Sequence, residues 1–216
     1  MRLYHYLEAK WALDDIRRRR LKLSKIDDMN DPYEAKSVLS HHNGTQSALE
    51  RTVEELFKRY GALCFSRSWN NILMWSHYGD KHKGICLGFD IAEEITRPVE
   101  YEPEPHAVGN LIVEDRSEFS QQEGTNIIDR LFGAKYVGWI YEEEVRVHVG
   151  LEEVDEETGQ YFLDCGERTK LKEVIAGARF PESKKPIEDA LKAYSDVEVF
   201  RASASKFHFE IVRERW

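Results

Sequence analysis

Three stretches of this chain carry side chains of the kinds that bind and transform ligands. The first is Trp139-Ile-Tyr-Glu-Glu-Glu-Val-Arg-Val-His148. Tyr141–Val149 alternates strongly and reads as a strand, so Glu142, Glu144, Arg146 and His148 should share one face. Two carboxylates and a guanidinium on one face are costly to bury without a use. They suit either a metal ion or an acid/base pair whose pKa values are pushed apart. The plain alternative is a solvated strand face with an ordinary Glu–Arg pair.

The second stretch runs from Cys64-Phe-Ser-Arg-Ser68 into Met74-Trp-Ser-His-Tyr-Gly79. Ser66 and Ser68 offer hydroxyls, while Trp75, His77 and Tyr78 offer aromatic faces, a combination suited to planar ligands. A core helix packing Met74 and Trp75, with His77 satisfied internally, is the competing account. The third is His5, set between Tyr4 and Tyr6 on the first strand and pointing opposite to both. A thiol nucleophile made of Cys64 and His77 is disfavoured, because an apolar strand raises a thiol's pKa. The chain contains no HExxH, GxSxG, P-loop or GxGxxG-plus-acid unit.

The elements that must position these groups follow from periodicity and turn residues. Helical spacing over Glu8–Arg20 follows the first strand, and a second helical stripe is formed by Leu49, Val53, Leu56, Phe57 and Tyr60, with Gly61 as its C-cap. Ala62–Ser66 reads as a buried strand, Asn70 as the cap of a short helix through Tyr78, and Gly84–Asp90 as a strand. Val99–Glu102 reads as a strand and Asn126–Val137 as a helix. Beyond residue 150, strands are expected at Tyr161–Asp164, Val174–Ile175, Val197–Phe200 and Phe207–Arg213, with a helix at Ser183–Tyr194. Helices crowd the first half and strands the second, which predicts an α+β domain with mixed or antiparallel sheet.

The bulk properties narrow the function classes. At 216 residues the chain can bury a core without disulfides or metal, and one domain spanning 1–216 is expected, its motifs in 1–150 and a strand-rich part in 151–216. The net charge of −9 argues against duplex binding as the main role, although Arg17–Arg20, Lys81 and Lys83 leave a nucleic-acid target open. Three cysteines with no CxxC pair point to a reducing compartment, with Cys64 and Cys86 as buried free thiols. With no secretory leader and no long apolar run, a cytoplasmic protein without a membrane partner is expected.

Taken in order, Leu3–Tyr6, the LKLS…MNDPYE stretch to Glu34, Cys64–Ser66, MWSHYG…GICLGFD to Asp90 and W-x-YExE-x-R at Trp139–Arg146 resemble a bacterial and phage-associated family catalogued as domain of unknown function 2971. The order of an early strand His, a mid-chain Tyr and a late Glu is also similar to the His–Tyr–Glu trio of ADP-ribosyltransferases. That second resemblance implies an ADP-ribosyltransferase-like fold with NAD as substrate and no metal. His5 would hold the adenosine ribose, Tyr78 would stack on nicotinamide, Glu144 would grip the nicotinamide ribose, and Glu142 would be the upstream acid. Ser66, Ser68, Trp75, His77 and Arg146 would complete the nucleotide site. The expected activity is ADP-ribosyl transfer or NAD cleavage, in phage defence or as a toxin. Two further readings stand beside it: a non-enzymatic module sensing a nucleotide or protein ligand, and a Mg-dependent nuclease using Asp27, Asp28, Glu142 and Glu144.

Overall fold

The computed structural model describes residues 1–25, 28–31, 55–104, 129 and 132–216. Its strands are β1 (Arg2–Leu7), β2 (Arg20–Lys22), β3 (Ser24–Lys25), β4 (Tyr60–Ser66), β5 (Ile85–Ile91), β6 (Arg97–Pro98) and β7 (Glu100–Glu102). They continue with β8 (Ala134–Tyr136), β9 (Glu144–Gly150), β10 (Phe162–Asp164), β11 (Thr169–Ala176), β12 (Glu198–Ala204) and β13 (Ile211–Arg215). The α-helices are α1 (Ala9–Arg18), α2 (Ile72–His77) and α3 (Lys185–Ala190).

The architecture is α+β, as the sequence predicts. One nine-stranded sheet runs β13-β12-β11-β5-β1-β4-β9-β6, with β3 also paired to β4. Its neighbours are antiparallel except β11 and β12, whose parallel pairing requires the crossover that contains α3. Two small ribbons, β2–β10 and β7–β8, flank it.

Alternation divides the apolar side chains between the two sheet faces. Leu3, Leu63, Phe65, Leu87 and Val145 pack with Ala12, Leu13 and Ile16 of α1. Tyr4, Tyr6 and Cys86 face the other way, onto Met74 and Trp75 of α2. Burial of these two layers is the main stabilising term, roughly 1.5–3 kcal/mol for each large apolar side chain removed from water.

The middle of the sheet has an opening. β1 pairs with β5 along its whole length, Arg2 to Leu7, yet meets β4 at a single register pair, Tyr4 with Ser66. Past that pair the two strands part. The carbonyl of Cys64 accepts instead from Nδ1 of His5 at 2.8 Å. A side chain thus satisfies a backbone acceptor where no ladder bond does.

Several expected elements are displaced. Tyr141–Val149 is not one strand: Val137–Glu142 is a 3-10 helix and β9 begins at Glu144. Glu143 between them adopts a left-handed conformation (φ 45°), which alternation cannot reveal. Gly61 lies inside β4 rather than capping a helix; residues 55–59 are helical, and 49–54 lie outside the described residues. Asn71, not Asn70, caps α2. Within the expected helix Asn126–Val137, Ala134–Tyr136 is strand β8, while 126–128, 130 and 131 lie outside the described residues. Phe207 and Phe209 sit in the exposed turn before β13 rather than in a strand. Although strands crowd the second half, β1, β4 and β5 from the first half form the centre of the sheet.

Candidate functional site

A cavity of about 310 Å³ lies at the parting of β1 and β4. His5 from β1, Ser66 from β4, Tyr78 from the end of α2, Lys135 from β8 and the acids Glu142 and Glu144 all line it. Residues separated by more than a hundred positions are thereby brought to one place.

Hydrogen bonds string the polar side chains into a chain. Asn30 Nδ2 donates to the Tyr78 hydroxyl at 2.7 Å, and that hydroxyl donates to Glu142 Oε1 at 2.6 Å. Lys135 Nζ donates to Glu142 Oε2 at 2.6 Å and to Glu144 Oε2 at 3.1 Å. Arg146 closes the chain with a fork on Glu144, Nε to Oε1 at 2.7 Å and a terminal nitrogen to Oε2 at 2.9 Å. Its other arm donates to the Phe132 carbonyl. Glu142, Glu144, Lys135 and Arg146 are only 3, 6, 6 and 1 % exposed, so the solvated-face account of this segment is overturned. Two cations balance two acids, as burial demands.

The two acids differ in environment. Burial pushes the Glu144 carboxyl up, but the Arg146 charge and fork, together with Lys135 and the Cys64 thiol, hold it down at about 2. That carboxylate is a fixed anion whose lone pairs are largely taken. For Glu142 burial prevails, raising its pKa although Lys135 and Tyr78 oppose the rise. Burial, reinforced by the bond to Glu142, likewise raises Tyr78 and keeps it a neutral donor. Burial lowers His5. Its Nδ1 must carry the proton given to Cys64 O, which leaves Nε2 as an acceptor with no hydrogen bond among the described residues.

Local structure explains the placement. Asn71 accepts from the amides of Leu73 and Met74, fixing the start of α2, and its Nδ2 donates to Tyr141 O at 2.8 Å. The helix that carries Tyr78 is thus tied to the turn that carries Glu142. The hydroxyl of Tyr101 accepts from the Glu144 amide at 2.8 Å, steadying the first residue of β9.

Other sequence-selected residues lie outside the cavity wall. Trp75 is fully buried in the second core layer and donates to Trp69 O. His77 is exposed, its ring near Tyr78 and Tyr141. Ser68 bonds Asn70, and its carbonyl accepts from Tyr6. Arg146 stands behind Glu144 rather than in the lining. Cys64 is half-buried, not enclosed as expected, and its thiol partner is Glu144. Cys86 is the buried free thiol anticipated. Asp28 reaches the cavity rim, and Asp27 lies outside the described residues. The residues that sequence reasoning missed are Lys135, Asn30 and Tyr101. A lone Lys in Gly-Ala-Lys-Tyr-Val carries no periodic or motif signal.

The segment that supplies Met74, Tyr78, Glu142, Glu144 and Arg146 is the part recognisable by comparison. Residues 74–147 match the family model described as protein of unknown function, DUF2971. Most of the polar chain around the cavity, from Tyr78 through Lys135 to Arg146, falls within that DUF2971 match, whereas His5, Asn30 and Ser66 precede it. No curated protein and no solved structure matches the chain. Among the described residues, no helix is long and apolar enough to cross a membrane.

Proposed function

We propose that the cavity binds the nicotinamide–ribose half of NAD and cleaves its glycosidic bond, by ADP-ribosyl transfer or hydrolysis. The observation that carries this reading is the convergence of His5, Tyr78 and the Glu142–Glu144 pair on one cavity between parted central strands. Its volume is at the small end of ligand sites and suits a nucleoside-sized group. His5 Nε2 is an acceptor for a sugar hydroxyl, and the Tyr78 ring is a wall for a planar base.

In the reaction the C1′–N bond breaks, its electron pair leaves with nicotinamide, and positive charge grows on the ribose. Water or a target nucleophile then adds to C1′ and gives up a proton. A preorganised carboxylate lowers that barrier electrostatically. The saturation of Glu144 by Arg146, Lys135 and Cys64 favours Glu142 for this role, with Glu144 as its support.

Calorimetry with NAD and a nicotinamide-release assay test the reading. Glu142→Gln should bind NAD and lose on the order of 10²–10³ in rate, while Tyr78→Ala should mainly weaken binding. Absence of NAD binding at millimolar concentration sinks the proposal. Binding without turnover in the wild type favours the ligand-sensing module. Strictly Mg-dependent cleavage of nucleic acid would favour the nuclease, whose cation would have to displace Lys135 from between the acids.

A further inference from the structure

Among the described residues, Lys135 is the one cation that touches both acids. It rises from β8, a strand of the small ribbon rather than of the main sheet, and its ammonium lies near the Trp139 ring, 5.3 Å from the centroid. Without it Glu144 would still be held by the Arg146 fork, whereas Glu142 would keep only the neutral Tyr78 as a donor among the described residues. The dependence is therefore lopsided. We propose that Lys135 is a positioning residue that divides the pair, making Glu144 a fixed strut and keeping Glu142 aimed at the ligand.

The groups around Glu142 support this division. Tyr78 faces it from α2, Lys135 from β8, Glu144 from β9, Tyr101 from β7 and Tyr141 from its own turn. Lys135 is the only cation among these groups, and it stands against burial and the Glu144 charge, both of which favour the protonated acid. An opposite charge at this range commonly shifts a carboxyl by about 1–3 pH units. The assignment of Glu142 as the reacting acid rests on the proposed NAD chemistry; the division of the pair does not.

The test reads titration rather than turnover. Carboxyl carbon NMR, with the Glu142 signal assigned by its loss in Glu142→Gln, follows both acids in the wild type, Lys135→Gln and Lys135→Arg. Lys135→Gln should raise the Glu142 midpoint by about 1–3 units and move Glu144 less, and Lys135→Arg should restore the wild-type order. An unmoved Glu142 midpoint, or a larger shift at Glu144, overturns the proposal. Should Lys135→Gln fail to fold, adding Glu142→Gln should rescue the fold, because it removes the acid left without its cation. Adding Glu144→Gln should not, because it strands Arg146. Rescue by Glu144→Gln alone, or by neither, overturns the proposal equally. Failure to cleave NAD with these titrations as expected would defeat the functional reading and leave the role of Lys135 standing.

Discussion

Arg146 shows how completely one residue can depend on its partners. At 1 % exposure its guanidinium is held by the Glu144 carboxylate and the Phe132 carbonyl. Arg146→Ala leaves a buried acid short of its main cation, at a cost of roughly 3–5 kcal/mol. Chemical denaturation should detect that loss, and a change below about 1 kcal/mol would mean that the pair behaves as an exposed one. Asp15 on α1 is the opposite case, a buried acid pushed up by burial and Asp14 from 3.8 to about 7, against the pull of Arg20 and Lys22. Its folded form holds a proton that the unfolded chain has released, so this group's contribution to stability falls as pH rises from about 4 to about 7. Asp15→Asn should therefore raise Tm at pH 8 and leave it nearly unchanged at pH 4. Thermal melts at the two pH values check the sign.

Among the elements, α2 and the turn before β9 act together. Asn71→Ala removes the cap of α2 and its tether to Tyr141, so it should cost at least the usual 0.5–2 kcal/mol of a lost cap, about the upper end. Since Tyr78 is the C-cap of α2, the same change should weaken ligand binding as well as stability, which calorimetry on the folded variant would show. What could be read in the sequence divides along similar lines. The α1 stripe, β5 and the face-sharing of Tyr4 and Tyr6 opposite His5 follow from local periodicity, and the structure reproduces them. Glu142 and Glu144 were recognisable as a pair, but for an incorrect reason. A left-handed Glu143 and a 3-10 turn bring them together, not the pleat of one strand. Lys135 was illegible because its meaning comes from β8 pairing with β7, a contact that nothing in the neighbouring residues encodes.

For the molecule as a whole, the sheet joins both ends of the chain, from β1 to β13, and sets how accessible each cysteine is. Cys86 is enclosed within the second core layer, whereas Cys64 opens to the cavity. Thiol labelling of the native protein should modify Cys64 before Cys86, and a cavity ligand should slow Cys64. Equal rates with and without NAD would remove NAD from the cavity. The parting of β1 from β4 has a consequence on the clock of hydrogen exchange. Alternate amides of an antiparallel strand point to opposite neighbours, so past Tyr4 those of β1 that face β4 have no ladder partner among the described residues, while those that face β5 do. Central strands are ordinarily the last to exchange. Here neighbouring amides on one central strand should exchange at unlike rates, the slow ones reporting global unfolding and the fast ones reporting whether the cavity is filled.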